Sequence, residues 1–199
     1  MVDFRDDSFS YIEEAGLYVL SGDILKAKLH FARFAKLNSS TAFLTAQAYC
    51  SWAECLSSQY KYPHAILKYR KALQVSPKLF KAYNGWGVCL SKMGKYDDAI
   101  QQFNKAIEIS NKNHIVAFNV VLVLLLKGDK EEALGSFAAA TKRTSQRMLG
   151  SVIVEFQSEC EKLEKRILEI ENQDERMLIQ ERRKGIECLL NLLSEKQKT

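Results

Sequence analysis

The 199-residue sequence predicts an all-α fold, a right-handed α-solenoid of about four helix-turn-helix repeats with a C-terminal capping helix or helical hairpin. Three observations carry this prediction: proline is nearly absent, a 34-residue period runs through the chain, and apolar residues recur at helical spacing. Pro63 and Pro77 are the two prolines of the sequence, and proline is the residue that a helix interior tolerates least. Hydrophobic residues make up 47% of the chain, which is enough for a packed core.

The repeat is clearest in the middle of the chain. Residues 46–79 align without a gap on residues 80–113, and 14 of the 34 positions are identical, including Trp52 with Trp86 and Tyr62 with Tyr96. Further units are predicted over about 8–41 and 114–144, with a four-residue insertion near 39–43. A period of this length is typical of solenoids, in which each unit buries its apolar face against the next.

Each unit is predicted to be two amphipathic helices joined by a tight turn. In the third unit, apolar residues recur at three- and four-residue steps on both sides of Gly94, which is the spacing of one helical face. Glycine suits the turn because a chain that leaves a helix commonly takes a left-handed conformation. In the second unit, Tyr60 replaces the glycine, and Pro63 stands where the first turn of the next helix should begin.

These residues resemble the tetratricopeptide repeat, a family whose helix-pair units bind other proteins. The family pattern of aromatic, large-then-small, and alanine positions is carried by Tyr49, Trp52, Ala53, Leu56, Ala65, Tyr69, Ala72 and Pro77, and then by Tyr83, Trp86, Gly87, Leu90, Ala99, Phe103 and Ala106. The outer units depart from it, since Phe34 and Val121 stand where small residues are usual. The resemblance covers about residues 8–144, and we assign 1–145 to a repeat domain.

The resemblance implies that the first helix of each unit lines a concave groove, which binds a peptide segment or helix of a partner. The residues so assigned are Phe9, Ile12, Gln47, Glu54, Lys81, Asn84, Val88, Lys92, Ile115, Phe118, Asn119 and Leu122. Two interpretations stay open for the apolar first helix of the fourth unit. It is either core covered by the chain's own C-terminal helix, which the hydrophobic sequence that follows favours, or part of the groove.

Residues 146–199 are predicted to be a charged helical extension of the repeat domain. An apolar seam runs at steps of three and four through Ile153, Phe156, Cys160, Leu163, Ile167 and Ile170. After residues 172–174 the register shifts, so either Asp174 caps a second helix or one helix continues for about 75 Å. We expect residues of about 147–165 to cap the fourth unit, with a folded-back hairpin and a dimeric coiled coil as alternatives.

Composition and motifs argue against an enzyme. The sequence shows no catalytic constellation and no cofactor motif, and its five cysteines and three histidines lack the spacing of metal ligands. The N-terminus has no signal-peptide pattern, and the longest apolar-rich stretch, 115–126, spans 12 residues, short of the roughly 18 that a membrane span needs. A cytoplasmic protein without a membrane span, a metal or a cofactor is therefore expected.

The charge distribution bears on the kind of partner. The formal net charge is +5, and residues 155–199 carry 9 Lys and Arg against 11 Asp and Glu, so the positive charge lies in the front part of the chain. A basic surface of this kind favours acidic partners, and no nucleic-acid-binding signature accompanies it. The sequence therefore predicts an adaptor or scaffold for another protein. A dedicated chaperone, similar to the repeat-containing chaperones of type III secretion, and a homo-oligomeric assembly protein that dimerises through its C-terminal helix are the alternatives.

Overall fold

The computed structural model describes residues 14–15, 17–18, 21, 26, 29–33, 42–110 and 113–197. Within 42–110 and 113–197 the chain forms eight α-helices and no strand. They are α1 (Ala42–Ser58), α2 (Tyr62–Val75), α3 (Phe80–Lys92), α4 (Tyr96–Ile109), α5 (His114–Lys127), α6 (Lys130–Lys142), α7 (Gln146–Glu169) and α8 (Gln173–Gln197). The predicted α-solenoid fold class is confirmed. Most of the first unit, with Phe9 and Ile12, lies outside the described residues.

The turn between the two helices of a unit has the same hydrogen bond in all three described units. In each, an amide donates to a leucine carbonyl five residues earlier and so closes the first helix, as Lys61 to Leu56, Lys95 to Leu90 and Asp129 to Leu124 do at 2.9 to 3.0 Å. The closure requires a left-handed residue just before the donor. Gly94 and Gly128 supply it with φ of 74° and 93°, and Tyr60 supplies it with φ of 62°.

The chain divides into two compact units, Met1–Cys89 and Leu90–Thr199, and the division falls within α3. In the compact unit Met1–Cys89, the core of α1, α2 and the start of α3 is built largely from fully buried alanines, which let the helices approach closely. They are Ala46, Ala53, Ala65, Ala72 and Ala82. Tyr69 fills the remaining space against Gly85, where an added Cβ would lie 2.2 Å from the Tyr69 ring. Only glycine fits that position without a shift.

In the second compact unit, helices α5 to α8 share one core. Phe118 and Leu122 of α5, Phe156 of α7, and Ile186 and Leu189 of α8 all belong to it and are essentially inaccessible to solvent. Gly185 leaves room for the close approach of α8 to α5, since a Cβ there would lie 2.8 Å from a Leu126 methyl carbon and would require that side chain to shift. The charged extension therefore folds together with the fourth repeat.

Helices α7 and α8 form an antiparallel hairpin, one of the predicted outcomes for the extension. The chain turns after Ile170, and the Asn172 side-chain oxygen accepts a hydrogen bond of 2.9 Å from the amide of Glu175. Asn172 is thus the cap of α8, and the prediction that Asp174 would cap it is wrong, as is the unbroken helix. Asp174 lies inside the first turn, where its negative charge interacts favourably with the positive end of the helix dipole. Among the helices described here, none has the length and apolar character needed to cross a bilayer.

Candidate protein-binding surfaces

Among the residues that the structure describes, five that were predicted to line the groove lie in the compact unit Met1–Cys89. Gln47 and Glu54 are on α1, and Lys81, Asn84 and Val88 are on α3. Glu54 and Lys81 are exposed, and the other three are half-buried. The two helices pack through a common core, and partial burial of the Glu54 carboxyl raises its pKa, although the charge of the nearby Lys81 opposes that shift. This first-helix face is therefore polar, partly exposed and carries both signs of charge.

The titratable groups of this face are not arranged for nucleophilic chemistry. Burial, followed by the charge of Glu54, raises the pKa of the Cys50 thiol to about 12, and the same two causes raise the pKa of Cys55 to about 11. Burial also raises the pKa of Glu54 itself. A thiol with so high a pKa is protonated at neutral pH and is a poor nucleophile and metal ligand.

The first helix of the fourth unit, α5, is covered by the chain itself. Phe118, Asn119 and Leu122 are at most 8% exposed, and Ile115 packs half-buried on the same core. Helix α8 lies against α5, so these side chains are core and do not face a solvent-filled groove. The structure thus corresponds to the first of the two interpretations of this face. The covering segment is mainly α8, and not residues 147–165 alone, because α8 makes the broader contact.

A buried polar cluster fixes the C-terminal hairpin to the end of α3. The Glu159 carboxylate accepts from Arg182 Nε at 3.0 Å and pairs with Lys92 Nζ at 3.3 Å, and Arg182 also donates to Ser91 Oγ at 2.8 Å. Burial alone would raise the pKa of Glu159, but the charges of Arg182 and then Lys92 outweigh it and hold the pKa at about 2. Lys92, which was assigned to the groove, is engaged in this cluster.

Three possible metal-ligand atoms come together between α7 and α8. One atom each from Cys160, Glu164 and Glu187 lies within 4.8 Å of the others. The Arg183 guanidinium pairs with Glu164 at 3.3 Å and with Glu187 at 2.8 Å, so one cation already contacts both carboxylates. The cluster is accounted for by the ion pairs of the hairpin.

Sequence reasoning missed a basic concavity along α2. It has a volume of about 680 Å³ and is lined by Trp52, Leu56, Lys61, His64, Leu67, Lys68, Arg70, Lys71 and Gln74. Four of these nine side chains are lysine or arginine, and none is acidic. The signal was present in the sequence, since residues 42–89 hold six Lys and Arg and one acidic residue, Glu54.

Successive helix pairs joined by the same kind of turn define a helical-repeat protein. Residues 80–113, the third predicted unit, match the model of the tetratricopeptide repeat. The tetratricopeptide repeat predicted for this part of the chain is thereby confirmed. None of the curated proteins matches the chain.

Solved structures share the fold at low sequence identity. The crystal structure of MamA is 21% identical with a TM-score of 0.58, covering 68% of this chain and 77% of that chain. YrrB, described as a TPR protein with an unusual peptide-binding site, is 20% identical with a TM-score of 0.54 and covers 99% of this chain and 95% of that chain. A Thermobaculum terrenum O-GlcNAc transferase mutant is 16% identical with a TM-score of 0.51, covering 63% of this chain but 24% of that chain. At these identities the similarity shows the fold alone.

Proposed function

We propose that this chain is a non-catalytic adaptor that binds a peptide segment or helix of a partner protein on the first-helix face of its second and third repeats. The observation that carries the proposal is the contrast between two faces. The polar face with Glu54, Lys81 and Asn84 is partly exposed, whereas the apolar face of the fourth repeat is covered by α8. YrrB, a protein of similar fold, is described as having a peptide-binding site, which supports this class of function.

The chemistry of the exposed face suits an extended backbone with charged side chains. An asparagine amide donates and accepts together, so Asn84 matches the pairing needs of a peptide group. Lys81 favours a partner carboxylate and Glu54 favours a partner cation, which fixes the direction of the bound segment. The repeat domain 1–145 carries the binding surface in this proposal, and residues 146–199 close its end.

The test uses the full chain as bait, because α7 and α8 share a core with α5. Proteins recovered with the natural chain are compared with those recovered by the double variant Lys81→Ala, Asn84→Ala. The matched control is Lys78→Ala, which removes an exposed lysine just before α3. A true partner is lost with the double variant, retained with the control, and bound about tenfold more weakly by the double variant in calorimetry. Equal recovery and equal affinity with all three chains would contradict the proposal.

Self-assembly is the second candidate function, and it rests on exposed apolar side chains of α7. Val154 is 65% exposed and Leu168 is 84% exposed, and their separation of two heptads places them on one side of the helix. Light scattering at rising concentration tests it, and the variant Val154→Ser, Leu168→Ser should abolish any dimer. A monomer at all concentrations would exclude this candidate.

The remaining sequence predictions stay predictions. A chaperone role would require binding of an unfolded client, and a calorimetric titration with a reduced, unfolded protein checks it. The five cysteines are all free, and a cytoplasmic location, where thiols stay reduced, remains an expectation. We expect no nucleic-acid binding, because the sequence has no nucleic-acid-binding signature, and an oligonucleotide titration checks this.

A further inference from the structure

We propose that the basic concavity along α2 is a second protein-binding surface, which takes an acidic peptide segment carrying a large apolar side chain. This surface is formed by the second helix of the second repeat together with Trp52 and Leu56 of α1. It is therefore distinct from the first-helix face proposed above, and it lies within the compact unit Met1–Cys89.

The charge of the surface selects an acidic ligand. Lys61, Arg70 and Lys71 are exposed on the wall of the concavity. The single acidic residue of 42–89, Glu54, does not line it, so these charges act together on a ligand. Cations on one side of a concave surface reinforce one another and attract carboxylates from a distance.

The apolar part of the concavity selects a segment with an apolar side chain. Leu67 is 53% exposed at the wall, so it offers an apolar contact to a ligand. Ligand sites in proteins commonly occupy about 300–1,000 Å³ and combine an apolar surface with a few polar groups. A volume of about 680 Å³ accommodates one large side chain and the backbone that carries it.

The length of the surface matches an extended peptide. Lys61, the N-cap of α2, and Lys71 are ten positions apart, which corresponds to about 15 Å along the helix. An extended chain covers that distance in about five residues. Alternating acidic and apolar residues over such a length would place carboxylates toward the lysines and an apolar side chain over Leu67.

The aromatic ring at this surface argues for a peptide over nucleic acid. Lys68 Nζ lies 3.4 Å from the centre of the Trp52 ring, and Phe31 stacks with Trp52 at 5.9 Å. Single-stranded nucleic acid is usually held by bases that stack on open aromatic faces. With its ring engaged by Lys68 and Phe31, Trp52 is not available as such a platform.

The experiment measures fluorescence polarisation of a labelled probe, a short peptide of alternating glutamate and leucine, with the full chain. The test variant is Lys61→Glu, Arg70→Glu, and the matched control is Lys78→Glu, an exposed lysine of the same repeat outside the concavity. We expect the test variant to weaken probe binding by about tenfold or more, the control to leave it unchanged, and added salt to weaken it for the natural chain. Leu67→Ser should weaken it without changing the salt dependence.

Other outcomes overturn the proposal. Equal loss with Lys78→Glu would show a diffuse charge effect, and a probe with glutamine in place of glutamate that binds equally well would exclude charge recognition. Tighter binding of a single-stranded oligothymidine, lost with the same test variant, would assign the surface to nucleic acid. A self-associated chain that Arg70→Glu converts to a monomer would assign it to a second copy. The first-helix proposal is judged on the recovered partner and the Lys81→Ala, Asn84→Ala variant, whereas this proposal is judged on the probe and the Lys61→Glu, Arg70→Glu variant, so the failure of one is distinguishable from the failure of the other.

Discussion

At the scale of single residues, Tyr60 occupies a backbone conformation that the equivalent positions of other repeats reserve for glycine. Its φ is 62°. For a residue with a Cβ, the left-handed conformation is less favourable than the right-handed one by roughly 1–2 kcal/mol. Its ring also meets Tyr62 edge-on at 6.3 Å. A comparison of Tyr60→Gly with Tyr60→Ala isolates the backbone effect, because both substitutions remove the ring contact.

We expect the Tyr60→Gly chain to be more stable than the Tyr60→Ala chain by about 1 kcal/mol in urea unfolding. Gly128→Ala should cost a similar amount, since its φ is 93° and its Cβ would meet nothing within 4 Å. Gly135 is the control inside a regular helix, also with open space, and there alanine should stabilise by about 0.5–1 kcal/mol. If alanine were preferred at position 60 as well, the strain argument would fail.

Gly85 is required for a different reason, close packing. A methyl group at this position would lie 2.2 Å from the Tyr69 ring, which is 3% exposed and held in the core. Gly85→Ala should therefore destabilise the chain by about 1–3 kcal/mol, measured by urea unfolding. Combining it with Tyr69→Leu, which shortens the opposing side chain, should cost less than the sum of the two single changes. Simple additivity would contradict the contact.

At the scale of elements, the hairpin of α7 and α8 depends on a buried carboxylate. Glu159 has a pKa of about 2 against an ordinary value of 4.5. A carboxyl whose pKa is lowered on folding stabilises the fold above its ordinary pKa, and this contribution is lost as pH falls toward its folded pKa. The hairpin should therefore hold from neutral pH down to about 4.5 and weaken between 4.5 and 2.

Glu159→Gln tests that element at neutral pH. It leaves the Arg182 guanidinium, 6% exposed, without its carboxylate, and we expect a loss of about 3 kcal/mol in the free energy of unfolding. The variant should also show a flatter pH dependence between 4.5 and 2 than the natural chain. Glu187→Gln, at the more exposed pair with Arg183, should change stability by less than about 1 kcal/mol. Equal effects from both substitutions would contradict the assignment.

Local signals were enough to predict the helix pairs, because each pair is specified by nearby residues. The 34-residue period, Gly94 and Pro63 placed the turns that the structure has. The cap of α8 was misassigned because Asn172 and Asp174 are both good capping residues, and the choice between them depends on where α7 ends. Similarly, an apolar α5 face fits a groove or a core, and contact with Ile186 and Leu189, far along the chain, determines which. The basic concavity was missed since lysines at helical spacing are usually solvated.

At the scale of the whole molecule, the extension is an integral part of the fold, and its removal should be costly. A chain that ends at Thr144 lacks α7 and α8, and so uncovers Phe118, Leu122 and the rest of that core. Each large apolar side chain contributes roughly 1.5–3 kcal/mol when it is fully buried. Several such losses exceed the stability of an ordinary domain, about 5–15 kcal/mol.

We therefore expect the chain ending at Thr144 to aggregate and to bind a hydrophobic dye, as measured by light scattering and dye fluorescence. A chain ending at Ile170 keeps α7 but loses Arg182 as the partner of Glu159 and uncovers Leu122, and it should also bind the dye. The control ends at Ser194, which retains the buried Leu193, and should remain folded and free of dye. A soluble, folded product from the shortest chain would mean that the repeats form a complete core by themselves, and that α7 and α8 only cover a surface that is stable without them.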